Sequence, residues 1–170
     1  MKFSLNLNKI ALLRNARGEN YPSLEEYANK AIELGVSLEP QEQGYLNLCI
    51  RSGNHLITSG HVSDQKGVLG KELTVDEGYE AAKDCMKKIL RSVHATHGTL
   101  DNLRVIKLFG MVYSAPDFTD QHLVINGASD LAHQIFGKDG DGYHARSAVG
   151  FAALPTGVAV EVEAVFEIIE

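Results

Sequence analysis

Cysteine is scarce in this chain of 170 residues: there are two, Cys49 and Cys85, and neither belongs to a CxxC pair. A disulfide-dense scaffold is excluded, and both thiols are expected to be buried and free in a reducing compartment. Long apolar runs are missing too, and no segment approaches the roughly 20 apolar residues of a membrane-spanning helix. The first residues, Met1-Lys2-Phe3-Ser4-Leu5-Asn6, alternate polar and apolar side chains and lack the apolar stretch of a signal peptide. These absences point to a cytoplasmic protein with no membrane partner. Positive charge is in deficit: 16 Lys and Arg stand against 22 Asp and Glu, a formal net charge of −6. That balance argues against nucleic-acid binding, which needs a basic surface to displace counterions, but leaves room for a local basic pocket. Repeats and low-complexity segments are absent.

What is present is ordinary globular composition, 44% hydrophobic and 22% charged, at a length that suits one domain with a real core. Residues 3–8 alternate like a strand, and Arg14-Asn15-Ala16-Arg17-Gly18 reads as a polar turn. Ser23, with Glu26 three residues on, forms a capping box for a helix lined by Tyr27, Ala31 and Leu34 and closed by Gly35. A loop through Pro40 and Gly44 follows. Residues 45–51 and 55–60 read as strands joined at Ser52-Gly53-Asn54. Thr74 and Glu77 make a second capping box. Behind it Val75, Tyr79, Ala82, Cys85, Met86, Ile89, Leu90 and Val93 recur at helical spacing. Residues 104–113 form an apolar strand. A second helix is expected over 119–136, with Leu123, Leu131 and Ile135 buried, and Gly137, Gly140 and Gly142 end it. The last strands, 144–154 and 158–169, join through Pro155-Thr156-Gly157. The order β-β-α-β-α-β-β predicts a two-layer α+β domain, with two helices on one face of a mixed sheet. The other face must be polar or covered, which invites oligomerisation.

The chemistry concentrates in the last two strands. Strand alternation puts Arg146 on one face with Ala148 and Gly150. A guanidinium among such small neighbours can grip a carboxylate through two parallel hydrogen bonds. On the final strand Val160, Val162, Ala164 and Phe166 point one way, and Glu161, Glu163 and Glu167 the other. Taken alone, an acidic row of this kind is most often a solvated face.

The run His144-Ala145-Arg146-Ser147-Ala148-Val149, then Leu154-Pro155, then Val160-Glu161-Val162-Glu163-Ala164, resembles the closing signature of the RidA/YjgF family. Ser52-Gly53-Asn54 with Thr58-Ser59-Gly60, Val105-Ile106-Lys107-Leu108, and the stretch from Ser114 to Leu131 resemble it further, in order. The last of these looks like a branch with a longer central segment, and the likeness covers roughly residues 23–170. It implies a chorismate-mutase-like fold and a homotrimer with clefts between subunits. It also implies deamination of small 2-imino acids without a cofactor. By motif, Arg146 would hold the substrate carboxylate and Glu161 would handle the hydrolytic water. Tyr45, Ser59 and Asn126 match the family's other pocket positions. Two departures stand out. Ala148 replaces a cysteine common in the archetype, and Tyr45 lies one residue further from the Ser52-Gly53-Asn54 turn. A trimer that binds a small carboxylate without turnover is the alternative; ribonuclease activity, also attached to the family name, fits the acidic balance least.

Residues 2–35 are similar instead to the first strand, loop and helix of pyridoxine 5′-phosphate synthase. That enzyme is a barrel of about 250 residues, so one βα unit cannot build its site. Residues 1–22 are accordingly expected to be an extension of the domain. Two weaker signals complete the set. His94 and His97 sit three apart at a helix end without a third metal ligand. Lys138-Asp139-Gly140-Asp141-Gly142 resembles half a calcium loop but lacks its closing Glu, so it is expected to be a loop beside the cleft, near Tyr143 and His144.

Overall fold

The computed structural model describes residues 26–39 and 44–169. The strand expected over residues 3–8, the Ser23 cap and residues 2–25 of the segment similar to pyridoxine 5′-phosphate synthase lie outside those residues. The elements are α1 (Glu26–Glu33), β1 (Cys49–Ser52), β2 (His55–Thr58), β3 (His61–Val62), α2 (Val75–His97), β4 (Leu103–Tyr113), α3 (Gln121–Phe136), β5 (Ala145–Phe151) and β6 (Val160–Ile168).

The longest helix, α2, starts where its cap dictates. Thr74 accepts from the Glu77 backbone N–H, and Glu77 accepts in return from the Thr74 N–H at 2.8 Å. Its buried stripe includes Ala82, Cys85, Met86, Ile89, Leu90 and Val93, and Gly98 ends it in the left-handed region at φ 88°. Helix α3 lies beside it at very close range. A Cβ on Gly127 would collide with the Tyr79 carbonyl, so only glycine permits this crossing. The start of α3 differs from the sequence expectation: Leu123 is exposed, while Val124 and Ile125 are buried.

The strands form one mixed sheet in the order β1-β2-β6-β4-β5, with β3 also pairing β6. Only β4 and β5 run parallel, and α3 makes the crossover that such a pair requires. Both helices cover one face. Leu56, Leu108, Val112, Val160, Val162 and Phe166 meet them there, with Phe136 edge-on to Phe166 at 6.1 Å. The opposite face is open, and carries Ile57, Val149 and Phe151 as exposed apolar side chains. Ahead of the sheet, Ala31 and Val36 join the same core, and Gly35 packs against Lys87 of α2.

Two boundaries were set by interactions that sequence pattern does not reveal. The first strand is shorter than expected, so Tyr45 falls outside it in an exposed bend. The edge beside β6 breaks after Thr58, whose hydroxyl accepts from the Ala164 N–H at 2.9 Å in place of a ladder bond. Ser59 and Gly60 leave the edge there, and β3 resumes it opposite Val162 and Glu161.

Candidate functional site

Arg146 lies on β5, the edge strand, directly opposite Leu108 of β4. Leu108 faces the helices, so Arg146 does too, and its side chain reaches α3. Nη1 donates to Asn126 Oδ1 at 2.9 Å and to Ser129 Oγ at 3.0 Å, and Nη2 donates to the His122 carbonyl at 3.3 Å. Nε–H and the other Nη2–H keep no partner among the described residues, and no ion pair there involves Arg146. Burial pushes the pKa of this guanidinium down, with Asp130 opposing. A half-buried cation with spare donors and no carboxylate within ion-pairing distance among the described residues has the chemistry to accept an anion.

The small neighbours do what strand alternation implies. Ala148 packs on the core, and a Cβ at Gly150 would meet Ser114 Oγ and Gln121 Nε2. Gln121 thus lies over Gly150, and the next residue, His122, reaches Arg146 through its carbonyl.

Glu161 occupies the other side of the sheet. Its neighbours Val160 and Val162 are buried against the helices, so Glu161 faces the open side, opposite Met111 of β4 and Val62 of β3. Its carboxylate sits against Gly60, in space that any side chain there would fill. Burial, reinforced by Glu163, raises its pKa above the ordinary carboxylate value. Ser59, next to Gly60, donates its hydroxyl to the Asn47 carbonyl at 2.8 Å.

Five sequence-derived positions thus fall into separate groups. Arg146 and Asn126 are hydrogen-bonded partners on the helix side of β5. Ser59 and Glu161 flank Gly60 on the far side of β4 and β6. Tyr45 touches neither group within the chain and is fully exposed. A pocket of about 80 Å³ between Ile57, Lys107, Phe109, Glu163 and Val165 includes neither Arg146 nor Glu161. Among the described residues no group of three His, Cys, Asp or Glu side chains is placed to hold a metal ion. No described helix is long and apolar enough to cross a membrane.

Sequence inspection missed Ser129. It lies three residues after Asn126, hence on the same face of α3, and that spacing is the signal that would have found it.

A mixed sheet covered on one face by two helices, with a crossover helix leading to an arginine-bearing edge strand, defines a chorismate-mutase-like α+β protein. Known proteins make the assignment specific. The sequence profile of the family described as Endoribonuclease L-PSP matches residues 37–168. Protein TCP17 of Trypanosoma cruzi is 50% identical over 144 residues, which cover 81% of this chain and 88% of that protein. Among solved structures, the protein Atu1372 of Agrobacterium tumefaciens, of unknown function, is 38% identical with a TM-score of 0.76, covering 85% of this chain and 93% of its own. The YjgF gene product of E. coli shares the fold at 22% identity and a TM-score of 0.51, over 75% of this chain and 91% of its own. The chain belongs to the Endoribonuclease L-PSP family, the RidA/YjgF proteins.

Proposed function

We propose that the protein hydrolyses reactive 2-imino and enamine acids to 2-oxo acids and ammonia, in clefts shared between copies of the chain. The observation that carries this reading is Arg146: half-buried, in no ion pair among the described residues, and with donors left over for a small carboxylate. Arg146 fixes the anion and so orients C2 of the imine. Water adds to C2, a proton passes to the nitrogen, and ammonia leaves as the carbonyl forms. Glu161, whose pKa is raised by burial and by Glu163, is suited to take the proton from water and return it to the leaving nitrogen.

Within one chain these two groups face opposite sides of the sheet. The reaction therefore needs a second copy, which presents its Glu161 and Ser59 to the Arg146 and Asn126 of the first. A closed, head-to-tail homotrimer supplies three such clefts. The exposed apolar residues of the open sheet face favour that assembly. Ala148 and the exposed Tyr45 favour the second reading, a trimer that binds a carboxylate without turnover.

An amino-acid oxidase that generates 2-iminobutanoate or 2-iminopropanoate in place separates the two. Accelerated imine decay by the wild type, and none by Arg146→Ala, is the expected result. Equal acceleration by both proteins overturns the proposal. Absence of turnover, together with carboxylate binding that requires Arg146, establishes the second reading.

A further inference from the structure

Arg146 is held by a chain of hydrogen bonds whose direction can be assigned. His144 Nδ1 lies 2.6 Å from the Gly142 carbonyl, which can only accept, so Nδ1 carries the proton. In the neutral ring Nε2 is then an acceptor. Ser129 Oγ, 3.0 Å away, donates to it, and the same oxygen accepts from Arg146 Nη1 at 3.0 Å. The bonds run one way, from Arg146 through Ser129 and His144 to the Gly142 carbonyl. Ser129 is buried. Gly142 must be glycine for its turn to lie this close to α3, because a Cβ would strike the Ala132 and Gly137 carbonyls.

We infer that Ser129 and neutral His144 are positioning residues that hold Arg146 in its anion-binding pose. The inference rests on Arg146 being the carboxylate anchor. A second proton on His144 would put an N–H against the hydroxyl that now donates to it. Ser129 would have to turn its own proton away, and a cation would stand beside the guanidinium.

The groups around the ring disfavour that proton. Arg146 lies two residues on, in β5, which His144 immediately precedes, and His133 of α3 lies with its ring centroid 5.3 Å away. Asp130 of α3 is taken up by the Tyr79 hydroxyl of α2 at 3.0 Å and lies 4.0 Å from His133. Asp141, in the turn before His144, pairs with Arg104 of β4 at 3.2 Å. Burial lowers the His144 pKa, and His133 and Arg146 lower it further, against the bond to Gly142. A 2-oxo acid stays anionic through the range in which His144 titrates, so any change in its binding there reports on the protein.

Calorimetric titration of the full-length assembled protein with 2-oxobutanoate between pH 5 and 8 tests the inference. Wild-type affinity should weaken toward the acid end of that range, on the acid side of an ordinary histidine's titration, because the His144 pKa is lowered. Ser129→Ala and His144→Ala should weaken binding about tenfold at pH 8, the order of one lost hydrogen bond to a charged group. Both should also flatten the pH profile. His144→Gln, which keeps an acceptor but does not titrate, should restore affinity without the acid loss. Wild-type affinity and pH profile in Ser129→Ala and His144→Ala overturn the inference while Arg146→Ala still abolishes binding. Undiminished binding by Arg146→Ala overturns the anchor itself. A readout independent of ligand is ¹⁵N NMR of the His144 ring: an Nδ1–H tautomer is expected, with a pKa that rises in Ser129→Ala and Arg146→Ala. An Nε2–H tautomer, or a pKa unmoved by both substitutions, overturns the inference even if no 2-oxo acid binds.

Discussion

Arg146 and Glu161 are both kept in surroundings that disfavour their charges, and each is compensated differently. Arg146 receives neutral oxygens from Asn126, Ser129 and the His122 backbone in place of a carboxylate. That arrangement solvates the cation without neutralising it, so an arriving anion meets its full charge. For Glu161, burial and Glu163 favour the protonated form. The sign follows directly. A carboxylate with a raised pKa takes up its proton at a higher pH than an ordinary Glu. If the ionised form activates water, turnover should fall, as pH is lowered, from above the usual Glu range. Glu161→Gln should remove that acid limb and lower the rate by roughly 10²–10⁴, the typical contribution of general acid–base catalysis. Binding of 2-oxobutanoate should change little. A pH–rate profile of the variant matching the wild type would assign the proton transfer to another group.

At the scale of elements, the site depends on how closely α3 is clamped between α2 and the sheet. Gly127 lets α3 reach the Tyr79 carbonyl of α2, and Gly110 lets Ile125 rest on β4. Gly127→Ala should therefore cost about 1–3 kcal/mol, as overpacking does. It should also weaken carboxylate binding, because Asn126 and Ser129 ride on the same helix. Thr74→Ala removes the α2 cap at a cost of about 1 kcal/mol, but the Thr74 side chain bonds Glu77 of its own helix and not Asn126 or Ser129, so binding should be unchanged. Chemical denaturation paired with calorimetric titration distinguishes the two. If Gly127→Ala lost stability and kept wild-type affinity, the clamp would not be what places Asn126 and Ser129.

Much of this level was legible beforehand. The α2 stripe and its capping box follow from spacing alone, and so do the alternating faces of β6. The end of α3 before Gly137 was legible from the glycines at 137, 140 and 142. Other features depend on tertiary partners that no local pattern encodes. Leu123 fits an apolar spacing, yet the first turn of α3 is oriented by Gln121, which bonds the Phe118 carbonyl at 2.7 Å, and by His122, whose carbonyl serves Arg146. Residues 45–48 look strand-like, but the ladder opposite β2 begins only at Cys49. The break at Thr58 depends on Ala164, more than a hundred residues later. His144, just before β5, and Arg146, within it, are two residues apart and both reach Ser129. The serine that joins them comes from another element.

At the scale of the whole molecule, the proposed assembly would account for both the open sheet face and the separation of the two residue groups. Ile57, Val149 and Phe151 are exposed on the face away from the helices, where a second copy would cover them. Arg146 with Asn126 and Glu161 with Ser59 lie on opposite faces of the sheet, and in the proposed assembly each pair would be half of a site. Light scattering should give the mass of a trimer. The decisive measurement mixes two inactive proteins. Arg146→Ala and Glu161→Gln, unfolded together and refolded in equal amounts, should recover about a quarter of the wild-type rate of 2-imino acid hydrolysis. In a head-to-tail ring one cleft in four then joins an intact Arg146 to an intact Glu161 from different chains. Recovery at that level would establish a site shared between copies. Mixed oligomers no more active than either parent would contradict it.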